Sequence, residues 1–324
     1  MKKILLIFLS TLIFTACDKK KSDEKVLLDS TGNVNDISVV IDNESWKGRV
    51  GEAIREILAA PVYGLPQEEP IFNINQIPTR VFDDFITKNR TILKIEFGKE
   101  ADIKFLKNVY AQPQRVIVIS GKTKDEIINQ LKENASKIVS TFKSIEMYEK
   151  QRLIKKSLYN TTFLNETIGI DIKFPTAYRV AREHDNFFWI RKDVNTGTLN
   201  LMIYELPYNR IERNDSIISQ IVSIRDSIGQ KYIEGPTEGS YMITEYAYTP
   251  FSQETIIDNK PTIETKGMWE VENAFMAGPY INYAIEDKKN NRWLVAEGFT
   301  FAPSVEKRDY MFELESIIRS IKIE

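Results

Sequence analysis

The sequence predicts an α+β protein built as two sheet-plus-helix halves, largely antiparallel, each half ending in a long amphipathic helix. Three observations carry this. The later β-like runs flank hairpin signals, Asp193-Val-Asn195-Thr-Gly197-Thr and Asp287-Lys-Lys-Asn290-Asn291. Two apolar stripes at helical spacing close the halves: Ile127, Leu131, Ala135, Ile138 and Phe142 in the first, Tyr310, Leu314, Ile317, Ile318 and Ile321 in the second. Between them a charged stretch, Glu146 to Lys156, ends the first domain, so the domains read as 37–156 and 157–324.

Taken in order, Ile37-Ser38-Val39-Val40-Ile41 is a short strand. Trp46, Val50, Ile54, Ile57 and Leu58 then recur at helical spacing behind Asn43 or Ser45 as cap. Ile71 to Ile77 reads as a strand, Thr79 to Asn89 as a short helix, Thr91 to Phe97 and Arg115 to Ser120 as strands. Thr123 and Glu126 form a capping box that starts the longest stripe. In the second half, strands are expected at Ile168–Phe174, Phe187–Lys192 and Leu199–Leu206. A helix follows from Ser216 to Ile228, then strands near 240–248, 263–272, 279–287 and 292–301. Ser304, after Pro303, caps the last helix.

The N-terminus decides location. Lys2 and Lys3 precede the apolar run Ile4 to Phe14, at about a dozen residues short of the ~20 that span a bilayer. Thr15-Ala16-Cys17 completes a lipobox, so residues 1–16 read as a signal peptide and Cys17 as the lipidation site. Residues 17–36 are polar and turn-rich and read as the lipidated cysteine with a flexible tether. The expected place is the cell envelope, outer membrane rather than inner, with membrane lipid as a partner through Cys17. Cys17 is the only cysteine, which leaves none for a disulfide or a thiol nucleophile.

Charge excludes other classes. Lys and Arg total 44 against 46 Asp and Glu; without Lys2 and Lys3 the balance is 42 to 46, or −4. That is no nucleic-acid footprint. A hydrophobic content of 42% with 17 Phe and 14 Tyr argues a folded body.

No motif carries recognisable chemistry. Gly121-Lys122-Thr123 follows a strand and opens a helix, but a phosphate-binding loop needs a glycine where Val116 stands. The reading is a tight turn capped by Thr123. His184, the sole histidine, sits in the polar Arg182-Glu183-His184-Asp185 and reads as solvated, with no Gly-x-Ser-x-Gly elbow to serve. Asp193, Asn195 and Gly197 resemble the start of a calcium loop, yet its twelfth position is Tyr204 instead of glutamate. Trp46, Trp189, Trp269 and Trp293 lie on apolar or alternating segments and read as core. The run Phe275 to Tyr280, broken by Gly278-Pro279, reads as a strand crossing between sheet regions. Ser30, in Asp29-Ser30-Thr31, is a candidate O-glycosylation site; Asp215-Ser216 and Asp226-Ser227 match the same pattern but fall on a predicted helix.

Several runs carry a family resemblance: the lipobox, Tyr110-Ala-Gln-Pro-Gln-Arg-Val-Ile-Val-Ile-Ser120, Phe187-Phe-Trp-Ile-Arg191, Phe275-Met-Ala-Gly-Pro279, and Glu297-Gly-Phe-Thr-Phe-Ala-Pro303 with Lys307-Arg308. With these the chain resembles an uncharacterised lipoprotein family of the Bacteroidota known as domain of unknown function 4837. The resemblance implies a Gram-negative envelope lipoprotein and assigns no catalytic residue. The function expected is a non-enzymatic binding or assembly module with an envelope protein, glycan or lipid as partner, without cofactor or metal. The alternative is an envelope hydrolase whose carboxylate- or serine-based site is not visible in sequence.

Overall fold

The computed structural model describes residues 27–324; the signal segment, Cys17 and residues 18–26 lie outside the described residues. The first half comprises β1 (Leu28–Asp29), β2 (Asp36–Val40), α1 (Asn43–Lys47), α2 (Arg49–Leu58), β3 (Asn73–Ile77), β4 (Thr91–Phe97), β5 (Asp102–Lys107), β6 (Ala111–Gln112), β7 (Arg115–Gly121), α3 (Lys124–Glu133) and α4 (Ala135–Ile154). The second comprises α5 (Thr162–Ile168), β8 (Ile170–Asp171), β9 (Arg179–His184), β10 (Phe187–Val194), β11 (Gly197–Pro207), α6 (Ile217–Tyr232), β12 (Met242–Thr244), β13 (Phe251–Ile257), β14 (Lys260–Val271), β15 (Ala274–Asp287), β16 (Arg292–Phe301), α7 (Arg308–Ile318) and β17 (Lys322–Ile323). This is an α+β fold with largely antiparallel pairing.

The first half departs from that antiparallel rule. Its five-stranded sheet runs β3-β2-β4-β7-β5, with β3, β2, β4 and β7 parallel and only β5 antiparallel. The cause is legible in its apolar runs. Ile37, Val39 and Ile41 pack under α2, α3 and α4, while Val40 faces the other side with Ile92 and Val116. Strands covered on both faces carry continuous apolar sequence, and parallel neighbours need crossovers such as α1–α2 between β2 and β3.

Local signals explain the element ends. Val116 to Gly121 is strand to its last residue, and the turn after it is the expected capping box: Glu126 N–H donates to Thr123 Oγ1 at 3.2 Å and Thr123 N–H to Glu126 Oε2 at 3.4 Å. Asp42 caps α1 by accepting from Ser45 N–H at 2.8 Å, one residue ahead of the expected Asn43 and three ahead of Ser45. The helix expected over 79–89 is two 3₁₀ turns, because Asp84 takes φ 32° and leaves the helical region. The segment expected to be tether joins the fold from Leu28: β1 pairs with β6, Ser30 N–H donates to Gln112 O at 3.0 Å, and Thr31 N–H to Lys88 O at 2.9 Å.

The second half is one eight-stranded sheet, β12-β14-β15-β16-β11-β10-β9 with β13 added on β14. One face carries Ile281, Tyr283, Leu294, Ala296, Leu201 and Ile203 under α7 and α5; the other carries Met202, Tyr204, Trp269, Tyr280, Val295 and Phe299 under α6. Glycines allow the closest approaches. A Cβ on Gly298 would lie 2.7 Å from Leu314 Cβ on α7, and one on Gly229 of α6 would lie 2.2 Å from Met242 O on β12.

Helix α7 is not capped by Ser304. Its first N–H groups are taken by Glu69, a buried carboxylate from the first half: Lys307 N–H donates to it at 2.8 Å and Arg308 N–H at 2.7 Å. A carboxylate there satisfies otherwise orphaned donors and complements the helix dipole. It also fastens the last helix of the second half to the first.

Candidate functional site

Where the halves meet they leave a cavity of about 560 Å³. The first half contributes the chain between α2 and β3 (Ala60 to Leu65, Ile71, Phe72) and one face of α4 (Ser136, Val139, Lys143). The second contributes Phe251 and Gln253 of β13, Lys266 of β14, Tyr280 and Ile281 of β15, and Arg308, Met311, Phe312 and Glu315 along α7. Tyr63 and Phe251 stack across the two halves, ring centroids 5.2 Å apart, and both remain exposed. The lining is mainly aliphatic and aromatic, with few polar groups, as ligand sites are.

The charges beside this lining form one network. Glu315 pairs with Lys143 Nζ at 3.0 Å and Arg319 Nε at 2.8 Å. Glu264 pairs with Lys266 at 3.0 Å and Arg319 at 3.0 Å, and accepts from Tyr283 OH at 2.8 Å. Three cations thus serve two carboxylates. Burial by itself pushes the Glu315 carboxyl up; Lys143, Lys266 and Arg319 outweigh it and hold it down at about 2. Arg308 is spent on the seam, donating to Pro70 O and Asn73 Oδ1 at 3.1 Å each.

A second polar cluster lies on the opposite face of the sheet, under α6. Arg225 and Glu297 are both fully buried and meet at 2.9 Å; Asn282 Nδ2 donates to Glu297 at 2.9 Å, and the Arg225 guanidinium sits 4.0 Å from the centre of the Tyr280 ring. Burial drives the Glu297 carboxyl above its ordinary range, and Arg225 offsets this only in part. Tyr280 also lines the cavity, so Arg225 backs one aromatic wall residue from behind, while the ion pair itself is internal architecture.

The residues singled out in sequence lie apart from the cavity. His184 ends β9, exposed, with Asp185 at 2.9 Å. Asp193 pairs with Arg179 and Arg191 at the β10–β11 hairpin. Trp269 and Trp293 are buried and donate to Thr300 O and Tyr208 O. Phe275 is fully exposed at the β14–β15 turn, while Gly278 and Pro279 pair with Trp269 and Met268 inside the sheet. Ser216 precedes α6 and Ser227 lies within it. Cys17 lies outside the described residues; no helix among the described residues is long and apolar enough to cross a membrane.

A family model described as Domain of unknown function (DUF4837) matches residues 157–320, half of the chain. The chain belongs to the DUF4837 family. A second model, Domain of unknown function (DUF8532), matches residues 30–155 of this DUF4837 protein. No curated protein matches it. Among solved structures, cyanobacterial PsbP (CyanoP) from Synechocystis sp. PCC 6803 is similar at 10% identity and TM-score 0.33, covering 52% of this chain and 92% of that one. LpqN of Mycobacterium tuberculosis, described as involved in cell envelope biogenesis, is similar at 13% identity and TM-score 0.28, covering 48% and 82%. At these scores neither likeness carries an argument.

Three of the runs that carry the DUF4837 resemblance, at 110–120, 297–303 and 307–308, are explained by packing. Gln114 is fully buried, donates to Thr87 O at 2.7 Å and Asn89 O at 2.8 Å, and accepts from Tyr110 N–H at 2.9 Å. Glu297 meets Arg225, Gly298 admits α7, and the Lys307-Arg308 amides take Glu69. The cavity residues Lys143, Lys266 and Glu315 escaped sequence reasoning. Their one signal is a charge beside an apolar stripe, as Glu315 stands beside Leu314.

Proposed function

We propose that this DUF4837 protein is a lipid-anchored envelope module that binds, and does not turn over, an amphiphilic anion in the cavity between its halves. The observation that supports this is the pairing of an apolar lining with a surplus of cations. Val62, Leu65, Phe72, Val139, Met311 and Phe312 offer apolar wall, worth about 25 cal/mol per Å² of ligand surface covered. Lys143 and Lys266 line the cavity against a single carboxylate, Glu315, so an acidic head finds net positive charge beside that wall. Hydrolysis by paired carboxylates asks for a general acid whose pKa is raised toward the working pH. The carboxylate lining this cavity, Glu315, is driven the other way.

The anchor follows from the lipobox. Acyl chains on Cys17, at ~0.8 kcal/mol per buried CH₂, hold the body at a membrane without a spanning helix. The outer membrane is the proposed membrane. Cys17→Ala is expected to move the protein from the membrane fraction to the soluble one. A variant still cut before residue 17 and still integrally bound overturns the anchor.

The cavity is tested by native mass spectrometry of protein extracted from envelopes in mild detergent, followed by titration with long-chain fatty acids. One acyl anion per chain is expected. Val139→Trp, which fills the wall from α4, is expected to weaken binding at least ~10-fold, or ~1.4 kcal/mol, with the unfolding midpoint kept. Equal affinity in the variant, or conversion of the ligand to product, defeats this reading.

A further inference from the structure

At the end of the first-half sheet where β2, β4 and β7 begin, three loops expose large apolar side chains together. Leu28 stands on β1, Phe85 on the 3₁₀ segment, Leu106 near the end of β5, and Val109 and Tyr110 on the β5–β6 connection; Phe85 is 66% exposed and Leu28 61%. Three contacts set their neighbourhood. Leu28 pairs with Ala111, Phe82 meets Tyr110 edge-to-face at 5.9 Å, and Gln114 ties Thr87 and Asn89 to Tyr110. The scaffold is therefore rigid while the tips are unburied. Contiguous exposed apolar surface of this kind marks a contact face.

The place where the chain enters the fold names the occupant. Nine residues, 18–26, separate Cys17 from Leu27, and at ~3.3–3.6 Å each they reach about 30 Å at most. They enter the body at β1, on this same end. An anchor at Cys17 thus keeps this end of the body within about 30 Å of the lipid surface. We infer that this end of the first half is a membrane-docking face, whose five apolar tips enter the interfacial layer of the bilayer that holds the Cys17 acyl chains. The inference rests on the proposed anchoring. The charges that flank these residues in sequence cancel, Lys88, Lys107 and Arg115 against Asp29, Asp83 and Asp84, so apolar burial carries the docking and dependence on anionic lipid is weak.

The experiment uses full-length lipidated protein in vesicles of phosphatidylethanolamine and phosphatidylglycerol. Phe85→Cys and Glu238→Cys carry an environment-sensitive fluorophore; Glu238 is exposed in the second half. The label at 85 is expected to shift to the blue and to be quenched by brominated acyl chains, and the label at 238 to do neither. The same two variants, with a hexahistidine tag at position 17 on a nickel-chelating lipid, test the face without acylation. Failure of the untagged protein to float with vesicles then speaks against the anchor alone. A label at 85 as wet and unquenched as that at 238, on vesicle-bound protein of either kind, overturns the docking face and leaves a protein partner as its occupant.

Discussion

Arg225→Met is expected to cost about 3–5 kcal/mol of folding stability at neutral pH, because it strips a buried carboxylate of its ion partner. Glu297 stays in place with no exposed surface, and Asn282 Nδ2 is left as its donor. Its carboxyl is already pushed up by burial with Arg225 present. Without the guanidinium it takes up a proton on folding, so the sign is fixed. A carboxyl whose folded pKa lies above its unfolded value destabilises the fold increasingly as pH rises through and beyond the ordinary carboxylate range. Denaturant unfolding of the variant is therefore expected to worsen from pH 5 to pH 8 more steeply than that of the parent, in which Arg225 offsets part of the rise. Adding Glu297→Gln removes the charge and keeps an acceptor for Asn282, and is expected to recover most of the loss. A single variant within ~0.5 kcal/mol of the parent, the range of ordinary surface changes, contradicts a buried ion pair here.

That pair also indicates what sequence does not disclose. Arg225 lies in a helix whose stripe of Ile217, Ile221, Ile224 and Ile228 is plain, and Glu297 in a strand with clear apolar flanks. Period and propensity place both elements and report nothing about a charge that points inward, because a partner 72 positions away makes it tolerable. The cap of α7 has the same character: Ser304 has the right chemistry nearby, and Glu69 wins by arriving from the other half with two oxygens. Several local signals hold. The Thr123–Glu126 box, the hairpin at 193–198 and the strand Arg292–Phe301 are all as expected, since each is specified within a few residues. The parallel order of the first sheet sits between these cases. The doubly apolar runs 37–41 and 115–120 imply burial on both faces, and such burial in turn implies parallel pairing.

The cavity was less legible for a further reason: its walls belong to different halves, so its residues are ordinary in each. Glu315 is where this becomes measurable. Its carboxyl stands at about 2 in the fold against an ordinary 4.5, because Lys143 of α4 and Lys266 and Arg319 of the second half surround it. A carboxyl lowered by folding contributes stability in full above its unfolded value and loses it as pH falls toward the folded one. At about 1.4 kcal/mol per unit this amounts to about 3 kcal/mol, present at neutral pH and lost between roughly pH 5 and 2. Glu264 and Glu313 are lowered in the same direction and deepen the acid loss. Glu315→Gln is expected to be less stable than the parent by about 3 kcal/mol at pH 7, to lose less on acidification, and to converge on the parent near pH 2. The Lys143–Glu315 bond spans α4 and α7, the two walls of the cavity. Acid should therefore open the seam before it unfolds either sheet, and hydrogen exchange at pH 3 is expected to rise first in α7 and the Ala60–Leu65 segment. Parallel stability-versus-pH curves for the parent and Glu315→Gln, offset by a constant, would show that this carboxylate is not held by the charges around it.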